Sequence, residues 1–274
     1  MKDNKMKKAR GSHCVVYALV IFPSVALGIF AMLCSGLPVT LWGQQAAAYV
    51  VFPLTAVLLS RFSQKLPSAV WVGILLMLLA ASLFGVEAGG ARRWLDLGLL
   101  SVNAAMLVLP ALLVLLSGMA CPYPALICAA AVLSLQPDFS QMTALFAAAL
   151  PLFWRTRRNL RWSIPTLLVL AGLMIRCACA PVSLESVAHS DGMLSLLGSM
   201  SPVLLAAGCL SLVLIPAFFA YRFAKTGNTH MLSLALYAAA LLAFVGKYPV
   251  PFMGFGLSPI AGYWLAYLLI SEKE

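Results

Sequence analysis

The sequence predicts an all-α fold, a polytopic transmembrane helical bundle of about ten spans with both termini cytoplasmic. Three observations carry the prediction. Of the 274 residues, 63% are hydrophobic and 9% charged, whereas ordinary soluble domains hold about 25% charged residues. The apolar residues fall in runs separated by short polar breaks, and most runs are long enough for the roughly 20-residue helix that a ~30 Å hydrocarbon core requires. The basic residues lie on alternate breaks, as the positive-inside rule demands. A transmembrane β-barrel would instead show strands of alternating polarity.

The first span, 14–36, follows a basic segment as a signal peptide would. Its apolar core is too long for one and no small-residue cleavage site stands out, so it is expected to remain as an anchor. Spans 45–60 and 69–86 flank the break that holds Arg61 and Lys65. Spans 101–119, 121–135 and 139–153 are marked by Pro110, Pro124 and Pro137 and joined by short loops, and proline tends to interrupt a helix. Span 163–180 carries Arg176, and 192–221, 231–246 and 258–271 complete the set. Residues 1–13 are read as a basic cytoplasmic tail, expected to touch anionic headgroups. Residues 14–274 are read as a single transmembrane domain, without a soluble domain or an internal repeat.

With the N-terminus inside, the inner side collects Lys2, Lys5, Lys7, Lys8, Arg10, Arg61, Lys65, Arg155, Arg157, Arg158, Arg161, Arg222, Lys225 and Lys273. The outer side holds Arg92, Arg93 and Lys247. Topology thus accounts for the net charge of +10, and no nucleic-acid partner is implied. The seven cysteines sit mostly in or beside spans. Cys177 and Cys179 are not matched by a second pair, so they read as small buried hydrophobes and no metal site is assigned.

Four outer loops are unusually polar: "EAGGARRWLDLG" (87–98), "QPDFSQ" (136–141), "ESVAHSD" (185–191) and "GKYPVPFMGFGLSP" (246–259). Glu87, Asp96, Asp138, Glu185 and Asp191 fall in the first three. Carboxylates are costly at a bilayer boundary, so their clustering invites a functional explanation, with solvated loop tips as the plainer one. Arg92 and Arg93 beside Trp94 suit a bidentate site for a lipid phosphate or pyrophosphate, or a loop-stabilising pair with Asp96. Gln136-Pro137-Asp138 reads as structural, proline ending one helix and aspartate capping the next. Arg176 should face the bundle interior and meet a carboxylate or a lipid anion. Asp191 is either a general base or the N-cap of the eighth helix, just ahead of Gly192.

"GARRWLDLG" at 90–98, "LQPDF" at 135–139, "AHSD" at 188–191 and "PFMGFGLS" at 251–258 resemble, in order, the signature stretches of the shape, elongation, division and sporulation (SEDS) family. The ten-span topology is similar too. The resemblance implies a peptidoglycan glycosyltransferase that polymerises lipid II on the outer face of the cytoplasmic membrane, with a class B penicillin-binding protein supplying transpeptidation. It puts the catalytic aspartate at Asp191 and the family histidine at His189. Arg92, Arg93, His189, Lys247 and Ser258 become the candidate substrate-binding residues. A positioned carboxylate can take the proton of an attacking sugar hydroxyl. The departing undecaprenyl pyrophosphate then gathers charge that Arg92, Arg93 or a divalent cation, magnesium or manganese, could stabilise.

The family's Q-P-x-E-x-x-K stretch reads "NAAMLVL" (103–109) here, with Met106 in place of the glutamate and Leu109 in place of the lysine. The family's long loop before the aspartate is reduced to 181–192. These departures support a second reading, a catalytically degenerate scaffold that binds a transpeptidase or lipid II. A third, a flippase for a lipid-linked precursor, would need an interior polar path, and the spans offer Arg176 alone. Convergence of Asp191, Arg92, Arg93 and Lys247 on one outward-open cavity would favour the catalytic reading.

Overall fold

The computed structural model describes residues 2–63, 66–88, 90–98, 100–156, 159–182, 189–254 and 256–270. Lys65, Arg157, Arg158, Glu185 and Lys273 of the sequence reading lie outside the described residues. Eleven α-helices are present among those described: α1 (Lys2–Cys34), α2 (Val39–Ser63), α3 (Ser68–Ala81), α4 (Ala104–Gly118), α5 (Tyr123–Leu135), α6 (Phe139–Arg155), α7 (Leu160–Ala178), α8 (Met193–Met200), α9 (Pro202–Thr226), α10 (Thr229–Leu242) and α11 (Ser258–Ile270). Each of the ten predicted spans finds a helix, and one span finds two.

The divided span is 192–221. Ser201 is extended at φ −167°, its side chain accepts a hydrogen bond from the N–H of Val203, and Pro202 opens α9. Proline disfavours the helical conformation in the residue before it. That restriction accounts for the break between α8 and α9. Pro110, by contrast, lies inside α4 without ending it.

A larger correction concerns the first polar outer loop. A 3-10 turn at Ser82–Phe84 leads into β1 (Val86–Ala88), β2 (Ala91–Asp96) and β3 (Ser101–Asn103), which form an antiparallel sheet in the order β1-β2-β3. Glu87 faces Arg92 across the first pair, and Trp94 faces Asn103 across the second. Gly90 and Gly98 turn the chain with φ of +84° and +82°, a conformation glycine adopts freely. The fourth span therefore starts at Ala104 rather than 101, capped by the Asn103 side chain, which accepts from the N–H of Met106 at 3.0 Å.

Helix α4 is buried along nearly its whole length, which makes it the central post. It packs closely on α11: a Cβ on Gly262 would stand 2.2 Å from the carbonyl oxygen of Met106. The outer helices turn apolar side chains outward, including Leu19, Phe22, Leu168, Ile175, Val203 and Leu210. Val15–Cys34, Leu160–Ala178 and Pro202–Thr226 are long and apolar enough to cross a bilayer. At the predicted inner ends of α6, α7 and α9, Trp154, Trp162 and Tyr221 are exposed. Arg161 stacks over Trp162 and Lys225 over Tyr221. Aromatic residues beside cations mark a membrane interface.

Candidate functional site

Asp191 closes the turn that leads into α8, and both it and Ser190 are buried, at 7% and 8% exposure. The N-cap position of α8 falls on Gly192, one residue after Asp191. The turn is held from the opposite loop. The N–H of Val250 donates to the Ser190 carbonyl at 3.1 Å, and Gly254 donates to Val250 at 2.9 Å. A Cβ on Gly254 would lie 2.5 Å from the Ser190 oxygen, so glycine is needed for the approach. Behind it, Phe252 adopts φ +65° and its carbonyl accepts a 2.5 Å hydrogen bond from Gln45 on α2.

Asp191 lines an open cavity of about 700 Å³ with Gly192, Leu194, Ser195, Leu196, Ser199, Val245 and Gly246. One carboxylate, two serine hydroxyls and an apolar wall form an amphiphilic recess. Lys247 is exposed and follows Gly246 directly; His189 is half-buried and precedes Ser190. Among the described residues, no three His, Cys, Asp or Glu side chains gather to hold a metal ion.

Arg92 and Arg93 do not form a joint clamp, because neighbouring side chains on a strand point to opposite faces. Arg92 faces solvent and pairs with Glu87 at 2.9 Å, both side chains more than half exposed. Asp96 is engaged elsewhere, accepting from the N–H of Gly98 at 2.8 Å. Arg93 points inward and is 4% exposed. Its Nε lies 3.5 Å from Asp138 Oδ2, its Nη2 donates to the Pro137 carbonyl at 2.8 Å, and its Cζ stands 4.9 Å over the ring of Tyr248.

Asp138 has two uses. Oδ1 caps α6, accepting from the N–H of Gln141 at 3.3 Å and from the Ser140 hydroxyl at 2.9 Å, as its position after Pro137 anticipates; Oδ2 faces the buried guanidinium. Tyr237 on α10 extends this polar layer by donating to Gln141 Oε1 at 2.5 Å. Burial pushes the Tyr248 phenol above its ordinary range, opposed by the Arg93 cation and reinforced by Asp138. Sequence reasoning missed Tyr248, whose one signal was an aromatic beside the cationic Lys247 in a polar outer loop.

Two further expectations are corrected. Ser258 is fully buried, and its Oγ accepts a 2.8 Å hydrogen bond from the N–H of Asn103. It locks the start of α11 to the β3–α4 junction and presents no surface to a ligand. Arg176 is exposed rather than turned into the bundle; its Nη1 donates to the hydroxyl of the buried Ser134 at 2.7 Å and to the Ser134 carbonyl, and among the described residues it pairs with no carboxylate. The C-terminal carbonyls of a helix carry partial negative charge, which suits a cation there.

Neither a family model nor a curated protein matches the chain. Solved structures do. An aspartate-to-alanine mutant of the rod shape determining protein RodA of Thermus thermophilus superposes with a TM-score of 0.62 at 21% identity, covering 94% of this chain and 96% of that one. Unmutated RodA of the same organism gives a TM-score of 0.58 at 22% identity over the same shares. A chain from a structure describing the coordination of polymerization and crosslinking by a peptidoglycan synthase complex gives 0.58 at 21% identity, over 94% of this chain and 97% of its own. The polytopic helical architecture, the four signature-like segments and these superpositions together give the chain a SEDS-like fold, the fold of RodA.

Proposed function

We propose that the protein is a peptidoglycan glycosyltransferase-type enzyme of the bacterial cytoplasmic membrane, acting on lipid II or a related polyprenyl-pyrophosphate-linked sugar at the outer face. The observation that carries this reading is the buried carboxylate of Asp191 on the wall of an amphiphilic cavity of about 700 Å³, within a RodA-like fold. In this reading Asp191 accepts the proton of the acceptor sugar hydroxyl as that oxygen attacks the anomeric carbon of the donor. Attack opposite the leaving group inverts that carbon, and undecaprenyl pyrophosphate departs. Magnesium is commonly held by one or two carboxylates together with substrate phosphates, so Asp191 on the cavity wall and the pyrophosphate could hold a divalent cation, which would supply charge stabilisation to the leaving group. Of the expected cations, Arg92, Arg93 and Lys247 are not among the residues lining the cavity; Lys247, which follows the cavity-lining Gly246, is the one we assign to the pyrophosphate. A class B penicillin-binding protein would crosslink the product.

A second reading, a scaffold that binds lipid II or the transpeptidase without catalysis, is favoured by one feature. Met106 and Leu109 are 5% and 0% exposed and belong to the packed interior, so the charged pair implied by the resemblance is replaced by core. Polymerisation of purified lipid II by the reconstituted protein, with and without the transpeptidase, separates the two. The enzyme reading expects glycan from wild type and a loss of about 10²- to 10⁴-fold in Asp191→Asn, with the fold intact. Binding without any polymer would establish the scaffold.

A further inference from the structure

A guanidinium that is 4% exposed in the outer layer of a membrane bundle is expensive unless it is partnered. Arg93 joins three parts of the chain: its own strand β2, the α5–α6 junction through Pro137 and Asp138, and the loop after α10 through the ring of Tyr248. That loop is internally braced. Tyr248 donates its N–H to the Phe244 carbonyl at 3.1 Å and packs edge-on against the Phe244 ring at 5.6 Å. Phe244 in turn packs edge-on against Phe139 at the start of α6.

The same loop builds the Asp191 site. Val245 and Gly246 form part of the cavity wall, Val250 donates to the Ser190 carbonyl, and Gly254 closes on that carbonyl. A continuous path of contacts therefore runs from Arg93 to Tyr248, through residues 244–254, to Ser190 and the carboxylate beside it. Cation–ring attraction strengthens with desolvation; Arg93 is buried and Tyr248 is half-buried.

We infer that Arg93 is a positioning residue: acting through Tyr248 it sets the 244–254 loop, and the loop fixes both the cavity wall and Asp191. The inference rests on the reading of Asp191 as the catalytic carboxylate. It gives Arg93 a role distinct from the anion clamp that its sequence position suggests.

The test uses the full chain in lipid, with steady-state kinetics on lipid II and a second readout independent of turnover. For the latter, Ser195→Cys, in a background with the native cysteines replaced, reports cavity access through its rate of labelling by a water-soluble maleimide. Arg93→Gln and Tyr248→Leu are each expected to lower kcat by about 10- to 100-fold, as ångström-scale misplacement does. KM should stay within about twofold, since ground-state binding is not removed. Arg93→Lys and Tyr248→Phe, which keep the cation and the ring, should recover most of the rate. The double variant should be no worse than the poorer single one, as partners in one path are non-additive.

Labelling of Ser195→Cys should change several-fold in Arg93→Gln and Tyr248→Leu and not in Arg161→Gln, which lies at the opposite face. Additive losses, or labelling at the wild-type rate in both variants, overturn the inference. If wild type makes no polymer with any partner, the proposed enzyme fails and labelling alone decides whether Arg93 sets the cavity. If Arg93→Gln does not fold, the Tyr248→Leu and Tyr248→Phe comparison decides it.

Discussion

Val250 donates its N–H to the carbonyl of Ser190, which makes the loop between α10 and α11 the backstop for Asp191. Two polar outer loops far apart in sequence thus form one side of a single site. Gly254 closes the same contact from the other side, with no space for a side chain. Gly254→Ala should force the two loops apart and destabilise the protein by about 1–3 kcal/mol, the usual range for overpacking. Thermal unfolding in detergent checks the stability, and lipid II turnover should fall with it.

Asp138 separates a cap from an ion pair. Asp138→Asn keeps a side-chain acceptor for the α6 N-terminus, where loss of a cap costs about 0.5–2 kcal/mol, but leaves Arg93 without its counter-charge. Stranding one member of a buried pair costs about 3–5 kcal/mol. Asp138→Asn should therefore show most of the destabilisation of Asp138→Ala. If the two differ by the whole effect, the cap dominates and the ion pair contributes little.

Gly262 sets the spacing of the two innermost helices. A methyl there would press on the carbonyl of Met106 and the backbone of Leu107, neither of which is the end of a flexible side chain. Gly262→Ala should lower stability by about 1–3 kcal/mol while leaving the outer loops chemically unchanged. A melting curve unchanged from wild type would show that α4 and α11 can separate at little cost.

Arg92 lies at the exposed end of the scale. Its pair with Glu87 is more than half solvent-accessible on both sides, and such pairs contribute about 0–1 kcal/mol. Arg92→Gln should melt within about 1 kcal/mol of wild type. A rise in KM for lipid II in that variant, without a stability change, would identify Arg92 as a substrate contact; an unchanged KM would remove it from the site.

Tyr248 predicts an alkaline weakness. Its folded-state value is raised from the ordinary 10.0, chiefly by burial, so the neutral phenol is favoured in the native protein. The contribution is complete below pH 10 and is lost as pH rises above it toward the folded value. Tyr248→Phe keeps the ring under Arg93 and removes the titration. Its melting temperature should fall less steeply than wild type above pH 10, and parallel curves would show that the phenol does not report on the loop.

The sequence by itself determined the class of protein and the approximate positions of its apolar helices. Apolar run length and loop charge are one-dimensional quantities set by the bilayer. It also located the α6 cap at Asp138, since capping involves neighbours a few residues away. The signature-like segments single out Asp191. Only the tertiary structure decided which polar residues share a site. Strand alternation sends Arg92 and Arg93 to opposite faces, and the apolar runs and loop charges of 86–103 do not reveal the strands. Ser258 was committed to Asn103, and Tyr248 was brought under Arg93. These outcomes depend on which distant backbones meet and how closely, and close approach in a packed bundle is set by all the helices together.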